Sequence, residues 1–139
     1  MNNIIKIVLA GKPKAKQRAR VGKYKQIYNP QSLEMSMTKM EIKKQLPEGF
    51  IPIPKGKPVI INWCAFFLPA KTESTKKFLE KIKNEDVFYI KKNDRDNVDK
   101  YILDCFSKVI ITDDNQVAGG TIFKYYTPDN PRIEIEVKW

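Results

Sequence analysis

The feature that most constrains the fold is an apolar run in the middle of the chain, Pro58–Leu68, which reads PVIINWCAFFL. The run is too continuously apolar for a strand with one face in water. Pro69 ends it, because a proline has no backbone N–H to continue a ladder. The run therefore predicts a long strand buried within a sheet.

Further strands are predicted near both ends of the chain. Ile4–Ala10 is rich in β-branched residues, and Arg132–Val137 alternates apolar and charged side chains. Gln116–Tyr126 is a third candidate. Together with Arg132–Val137 it is expected to form a terminal hairpin joined at Pro128–Pro131.

Three helices are predicted, over Gln31–Gln45, Ser74–Lys83 and Asp96–Lys108. The first carries a partial apolar face at i, i+4 and i+7, formed by Leu33, Met37 and Met40. Ser74 is the expected N-cap of the second. The layout predicts one α+β domain over residues 1–139. About three helices would pack against one face of a mixed sheet of about four or five strands.

The charge balance indicates a polyanionic partner. The chain of 139 residues has 26 Lys and Arg against 16 Asp and Glu, a formal charge of +10. Nucleic acid is the commonest reason for such a balance, and an anionic membrane surface is the alternative. No apolar stretch approaches the roughly 20 residues of a membrane helix, and the N-terminus does not resemble a signal peptide. We therefore expect no membrane partner and a cytoplasmic location.

The chain has no histidine and only two cysteines, Cys64 and Cys105. A structural zinc site needs about four Cys or His ligands, so no zinc is expected. Serine–histidine and cysteine–histidine catalysis are excluded, because the chain has no histidine. Both cysteines are expected to be core thiols. Any chemistry is left to carboxylates, lysines, hydroxyls or a metal held by oxygen.

Six aspartates are concentrated in a short part of this basic chain: Asp94, Asp96, Asp99, Asp104, Asp113 and Asp114. Taken singly, each has a structural interpretation. Asp96 and Asp99 suit a helix N-cap and its third residue. Asp104 could pair with Lys100 one turn earlier, and the last two could form a turn.

Taken together, the same aspartates indicate a metal site. Asp94 and Asp96 are two apart before a helix, so in an extended segment they would face one spot. The Asp113–Asp114 turn could return beside that helix start. Converging carboxylates repel one another unless a cation lies between them, and oxygen ligands select Mg²⁺ or Mn²⁺. Such an ion in a polyanion-binding protein favours phosphodiester hydrolysis, with Lys100 stabilising the phosphate or the leaving oxygen.

The basic residues form two groups. In the loop Gly11–Lys25, Lys16, Arg18 and Arg20 alternate and could track phosphates, although a solvated loop is the simpler interpretation. A second group flanks the acidic cluster and suggests general DNA affinity: Lys71, Lys76, Lys77, Lys81, Lys83, Lys91 and Lys92. Three aromatic residues could stack on bases or pack in the core: Phe88, Tyr89 and Tyr101.

The motifs together resemble one family. DRDNVDK (Asp94–Lys100), then LD (Leu103–Asp104) and ITDDNQV (Ile111–Val117), resemble the RusA family of crossover-junction endodeoxyribonucleases. GKPKAKQRAR (Gly11–Arg20) is similar to the basic segment of that family, and IEIEV (Ile133–Val137) to its ending. The resemblance covers nearly the whole chain. One departure is Gly119–Gly120, which suggests a bulge or a close backbone approach.

The resemblance implies an α+β homodimer that cuts four-way DNA junctions symmetrically with Mg²⁺, for which Mn²⁺ could substitute. The implied metal ligands are Asp94, Asp96 and Asp114, with Asp113 as the alternative third ligand, and Lys100 would be the essential lysine. The resemblance favours DNA contacts by Lys16, Arg18 and Arg20, and the two basic groups add Lys14 and Lys92 as candidates. Two alternatives stay open: a non-catalytic nucleic-acid-binding protein, and a metal nuclease that acts on another branched substrate.

Overall fold

The computed structural model describes residues 1–139 and has three α-helices and seven strands. The strands are β1 (Ile4–Ala10), β2 (Arg20–Val21), β3 (Ile27–Tyr28), β4 (Val59–Phe67), β5 (Val117–Gly119), β6 (Ile122–Tyr126) and β7 (Arg132–Lys138). The helices are α1 (Ser32–Gln45), α2 (Lys76–Asn84) and α3 (Arg95–Phe106), with short 3₁₀ turns at Lys71–Glu73 and Asp114–Gln116. The predicted α+β class is confirmed.

The apolar run forms β4, and the main sheet is built around it. On one side β7 pairs with β4 antiparallel, and β1 pairs antiparallel with β7. On the other side β5 and β6 both run parallel to β4. The predicted terminal hairpin is therefore wrong. β6 and β7 lie on opposite sides of β4, because that apolar strand satisfies the backbone groups of both. β2 and β3 form a separate small arm.

Gly120 lies where the chain passes from β5 to β6 against the backbone of β4. Its φ is +147°, and a Cβ atom at this position would lie 1.7 Å from the carbonyl oxygen of Ile61. Beside it, the Trp63 amide donates to the Thr121 carbonyl at 2.9 Å. The close backbone approach expected from the Gly119–Gly120 pair is confirmed, and only glycine permits it.

The helices cover one face of the sheet. Along β4 the fully buried residues alternate with half-buried ones, so the strand is not enclosed on both faces as the apolar run suggested. The inward side chains pack on α3, whose buried residues are Val98, Tyr101, Ile102, Cys105 and Phe106. Cys105 is a core thiol, whereas Cys64 is half-buried on the opposite face of the sheet.

The predicted apolar face of α1 does not enter the core. Leu33, Met37 and Met40 are 76%, 63% and 60% exposed, and Ile42 is the one fully buried residue of this helix. α1 is positioned partly by polar contacts. The Gln45 side chain pairs with both the N–H and the C=O of Val8 at 2.8 Å, at the free edge of β1. An amide that fills an edge strand in this way also blocks its pairing with other chains.

The start of α2 differs by one residue from the expectation. Thr75, not Ser74, is the N-cap, and its hydroxyl accepts from the Phe78 amide at 3.2 Å. The Ser74 hydroxyl instead donates to the carbonyl of Ala70. None of the helices combines the length and the apolar character that crossing a bilayer requires.

Candidate functional site

Asp94 occupies the N-cap position of α3, but its side chain makes no capping hydrogen bond. The backbone of Asp94 is extended. Asp96, which was expected to be the N-cap, instead lies in the first turn of the helix. Both carboxylates are exposed. They lie at the positive end of the helix dipole, which favours negative charge there. Asp94 therefore presents a carboxylate that the helix itself does not use.

Asp94 lines an open cleft of about 570 Å³ between the basic loop and the start of α3. Its charged lining residues are Lys12, Lys14, Lys16, Lys92, Glu34 and Asp94. Asn97, the asparagine of the DRDNVDK segment, lines the same cleft. Because lysines outnumber acidic residues in its lining, the cleft is suited to attract a polyanion. The Asp94 carboxylate would then lie next to that polyanion.

The basic loop is fastened to this cleft by specific hydrogen bonds. The Lys16 amide donates to the Asn97 carbonyl at 2.8 Å. Gln31, which is 2% exposed, accepts from the Gln17 amide at 2.7 Å and donates to the Ala15 carbonyl at 2.9 Å. Gln31 thus holds the backbone on both sides of Lys16. In the sequence, the only sign of this role is a polar residue at the start of a predicted helix.

The predicted DNA contacts divide into two groups. Lys14, Lys16 and Lys92 line the cleft together with Asp94. Arg18 and Arg20 are exposed beyond it, and Arg20 begins the small β2–β3 arm. The loop is therefore not simply solvated: its first half is anchored in the cleft and its second half projects from the body.

The segment that leads into Asp94 is held from beneath by Lys124 on β6. The Lys124 amino group donates to the Lys91 carbonyl at 3.1 Å and to the Asn93 carbonyl at 2.6 Å. Sequence reasoning missed this lysine. The sequence clue to its role is a charged side chain at the middle position between the apolar Ile122 and Tyr126, where a strand places it on the inward face. An inward lysine needs acceptors, and here they are the carbonyls just before the acidic motif.

Two other aspartates of the cluster have partners that differ from those expected. Asp99 accepts a hydrogen bond of 2.8 Å from the indole N–H of the buried Trp63. Asp104 forms an ion pair of 2.8 Å with Lys16, not with Lys100. Lys100 is exposed on α3, one turn after Asp96, and forms no ion pair.

The Asp113–Gln116 turn is organised by its buried glutamine. The Gln116 oxygen accepts from the amides of Thr112 and Asp113, both at 2.8 Å. Its nitrogen donates to three carbonyls, those of Ile53, Pro54 and Lys57. These bonds explain the glutamine of the ITDDNQV segment, for which the sequence pattern indicated no role. It fastens the acidic turn to the connector before β4.

The two aspartates of this turn differ in what they do. The Asp113 carboxylate caps the 3₁₀ turn by accepting from the Asn115 amide at 2.9 Å. Asp114 has no such bond, and its pKa is raised by partial burial and then by the neighbouring Asp104 and Asp113 charges. A carboxylate held beside like charges gains most from a cation nearby.

The structure does not gather the four predicted ligands in one place. Asp94 and Asp96 lie at the start of α3, whereas Asp114 interacts with Asp104. Asp94 and Asp104 are ten residues apart, which is roughly 15 Å along a helix. Asp113 lines a different cleft, beside Lys55 and Lys57. No three carboxylate or thiol groups are arranged to hold a metal ion.

The donor chemistry nevertheless fits a hard cation. Mg²⁺ is commonly bound by one or two carboxylates together with waters and substrate phosphates, rather than by a cage of protein ligands. Asp94, which makes no capping hydrogen bond and lies among the lysines of the cleft, meets that minimal requirement. The folded chain does not bring three carboxylates together at a single metal site.

Two of the three aromatic candidates belong to the core. Tyr101 is 1% exposed, and its hydroxyl lies 3.0 Å from that of Thr38. Tyr89 stacks on Phe67 with ring centroids 4.0 Å apart. Phe88 is exposed, but on the face of the sheet away from the helices, where it stacks on Tyr125.

The comparison with known families agrees with these motifs. A family model described as Endodeoxyribonuclease RusA matches residues 10–138, nearly the whole chain. No curated protein matched the sequence significantly. The matched range contains the basic loop, the acidic start of α3 and the Asp113–Gln116 turn. The chain therefore belongs to the RusA endodeoxyribonuclease family.

Proposed function

We propose that this protein is a Mg²⁺-dependent endonuclease that resolves four-way (Holliday) DNA junctions by paired symmetric cuts, in recombination and repair. Membership of the RusA family supports the nuclease class. The observation that carries the site is Asp94, an uncapped carboxylate in a cleft lined by Lys12, Lys14, Lys16 and Lys92.

DNA would be held by its phosphates. The cleft lysines would contact the backbone next to the cut, while Arg18 and Arg20 on the projecting part of the loop would reach phosphates farther along. Contacts of this kind position the nucleic acid without reading its sequence. The site is acidic at the start of α3 and basic around it, which supports a scissile phosphate near Asp94.

The reaction is hydrolysis of a phosphodiester. Water adds to phosphorus, the bond to the 3′ oxygen breaks, and the leaving oxygen takes a proton, which gives 5′-phosphate and 3′-hydroxyl ends. Mg²⁺ or Mn²⁺ held by Asp94, with the neighbouring Asp96 and with phosphate and water oxygens as further ligands, would supply an activated water and neutralise charge on the phosphate. Lys100 would stabilise the developing negative charge from the exposed side of α3.

Pairing of two copies follows from the substrate. A four-way junction has two-fold symmetry, and its resolution needs two matched cuts, so a homodimer with one site per chain suits it. Each copy would bring one such cleft, lined by twelve residues, to the junction. Two copies are expected to make the two matched cuts of resolution.

The test is cleavage of a synthetic four-way junction in Mg²⁺ and in excess EDTA. Asp94→Asn is expected to lower the cutting rate at least about 100-fold while junction affinity holds or rises, because the change removes a negative charge from a DNA-binding cleft. The matched control is Asp129→Asn, an exposed aspartate between β6 and β7. Equal cutting in EDTA, or no cutting by the unmodified protein in Mg²⁺, contradicts the proposal.

Cleavage assays with the same purified protein distinguish two alternative functions. A metal nuclease for another branched substrate would cut a fork, a flap or RNA faster than a four-way junction. A non-catalytic binding protein would cut none of them, and Asp94→Asn would leave its Mg²⁺ affinity unchanged.

A further inference from the structure

The β2–β3 arm, residues 20–28, carries apolar side chains that no other part of the chain covers. β2 and β3 pair with each other and with no other strand. Val21, Tyr24 and Ile27 are 67%, 82% and 77% exposed, and Tyr28 is 45% exposed. A two-stranded hairpin without a covering layer is only marginally stable in water. The apolar side chains of the arm therefore become buried only when another molecule covers them.

The pairing of the two strands gives the arm two different faces. Val21 lies opposite Ile27, and Arg20 lies opposite Tyr28. Residues that lie directly opposite each other share a face, and successive residues of a strand alternate between faces. One face of the arm is therefore apolar, and the other combines an arginine with a tyrosine.

The tip of the arm presents a tyrosine between two lysines. The Gly22 amide donates to the Gln26 carbonyl at 2.7 Å, and the Lys25 amide donates to the Gly22 carbonyl at 2.9 Å. The Tyr24 amide donates to the side-chain oxygen of Gln26 at 3.0 Å. The amino group of Lys23 lies 5.9 Å from the Tyr24 ring centre. These bonds close the turn and leave the tyrosine ring in solvent with a cation on each side.

The arm belongs to a part of the chain that carries only positive charge. Residues 11–33 contain seven lysines and arginines and no aspartate or glutamate, in a chain whose formal charge is +10. Arg20, Lys23 and Lys25 of the arm form no ion pair. A second copy of the chain would bring an equally cationic arm, so two arms repel each other. This charge favours a polyanion as the occupant.

The base of the arm is fixed beside the cleft that contains Asp94. The Lys16 amide donates to the Asn97 carbonyl, and the Gln17 amide donates to the buried side chain of Gln31. The arm therefore lies next to the DNA that the proposed function brings to the cleft. Aromatic side chains set among cations are the usual means of binding nucleobases whose faces are accessible.

The length of the arm limits where it can meet a base. Seven residues separate Gln17 from Tyr24, so the ring lies at most roughly 23 Å from the anchored base, about the length of six base pairs. In a continuous duplex each base is stacked on both faces, and exposing one costs free energy. At the branch point of a junction the stacking between helices is interrupted, so a base face is accessible there.

We propose that the β2–β3 arm inserts Tyr24 at the branch point of the DNA, where its ring stacks on an accessible base. Arg20, Lys23 and Lys25 contact the flanking phosphates. This role rests on the DNA binding of the proposed function, but it depends neither on the metal nor on the cut. Since phosphate contacts are the same on any DNA, the stacked ring is what distinguishes a branched substrate from a linear one.

The test is a binding titration in EDTA with a four-way junction and with a linear duplex of the same sequence. Tyr24→Ala is expected to weaken junction binding about 5- to 100-fold, because it removes a stacked ring. Duplex affinity and the slope of log affinity against log salt should be unchanged, because the variant keeps every cation. Tyr24→Phe, which retains the ring, should bind the junction like the unmodified protein.

Two control variants separate stacking from charge and from the loss of any exposed apolar side chain. Lys25 has a positive φ of 62°, so Lys25→Gly removes a charge while the turn keeps its conformation. It should lower the salt slope by about 1 on both the junction and the duplex. Ile51→Ala, at a residue 73% exposed between α1 and β4, should leave both affinities unchanged.

A second readout needs no variant and so does not depend on how Tyr24→Ala folds. Junctions are prepared with 5-iodouracil either at the branch point or in the middle of one helix, and are irradiated in complex with the unmodified protein. Mass spectrometry should find the peptide that contains Tyr24 joined to the branch-point base and not to the base in the helix.

Three outcomes overturn the inference. Tyr24→Ala could weaken junction and duplex binding equally with a lower salt slope, which would leave the arm with phosphate contacts only. The branch-point base could be joined to another peptide. Tyr24→Ala could release the protein from vesicles of phosphatidylserine without changing junction binding, which would assign the arm to an anionic membrane surface.

Failure of the nuclease proposal is distinguishable from failure of this inference. A protein that binds junctions through Tyr24 in EDTA but cuts none in Mg²⁺ retains the arm and loses the nuclease. A protein that cuts junctions, and whose Tyr24→Ala variant binds them unchanged, retains the nuclease and loses the arm. Absence of any junction binding overturns both.

Discussion

The amino group of Lys16 lies 2.8 Å from a carboxylate oxygen of Asp104. The amide of the same lysine donates to Asn97, two turns earlier on α3. The basic loop is thus fastened to the acidic helix by its backbone and by its side chain. This pairing joins the two parts of the chain that carry the family resemblance, and it keeps a lysine next to the carboxylates of the cluster.

Replacement of Lys16 by methionine is expected to weaken DNA binding. Loss of one phosphate contact should lower the slope of log affinity against log salt by about 1. The free energy of unfolding should change by no more than about 1 kcal/mol, because the ion pair is partly exposed. Binding titrations at several salt concentrations measure the slope, with Lys43→Met at the end of α1 as the control.

Asp104→Asn distinguishes a phosphate contact from a purely structural pair. If Lys16 binds phosphate, removing its carboxylate partner should maintain or raise DNA affinity. Equal weakening by Asp104→Asn and Lys16→Met would instead mean that the pair only holds the loop.

Gln116→Leu is expected to destabilise the protein by about 2 to 4 kcal/mol. The change leaves two amides and three carbonyls without their partner inside the fold. Urea unfolding measures the loss. Asn115→Ala, at an exposed position of the same turn, should cost far less. Equal effects of the two substitutions would contradict the role given to Gln116.

Gly120→Ala should be much more damaging than Gly56→Ala. Both glycines have positive φ, but a Cβ at Gly56 meets nothing within 4 Å, whereas at Gly120 it would overlap the backbone of Ile61. Backbone strain alone at Gly56 is expected to cost about 1 to 3 kcal/mol. The clash at Gly120 adds to it and should exceed about 4 kcal/mol, seen as insoluble or unfolded protein. Similar melting temperatures of the two variants would refute the close approach.

Glu73 should stabilise the fold in a pH-dependent manner. Hydrogen bonds from the Tyr126 hydroxyl and the Ala70 amide, and the contact with Lys91, lower the pKa of Glu73 from its ordinary value of 4.5 to about 2. Because the folded-state pKa is depressed, this stabilisation is fully present above about pH 4.5 and is lost as the pH falls towards 2. Thermal unfolding of Glu73→Gln should therefore differ from the unmodified protein at pH 7 and converge with it in acid.

The matched control for this pH dependence is Glu48→Gln, an exposed glutamate between α1 and β4. It should show no pH-dependent difference. A Glu73→Gln difference that stays constant down to pH 2 would rule out the ionised carboxylate as its source.

Local patterns were enough to predict much of this protein. The apolar run of β4, the β-branched β1, the alternation of β7 and the 3.6-residue periodicity of α3 each reflect which side of an element faces the core. The absence of histidine and the spacing of the acidic and basic motifs limited the chemistry and indicated the family. These properties depend only on residues close together along the chain, so they can be predicted from the sequence alone.

What the tertiary structure decided is which elements and side chains meet. β6 and β7 are neighbours along the chain, yet β4 lies between them, because strand pairing depends on long-range contacts that no local period encodes. The stripe on α1 looked like a core face but stayed exposed, since Gln45 and Thr38 help to set where the helix lies. In the same way Asp104 took Lys16 as its partner instead of the nearby Lys100. The distances among the carboxylates depend on where the chain lies after it leaves α3. That position is set by tertiary contacts, so it cannot be predicted from local sequence patterns.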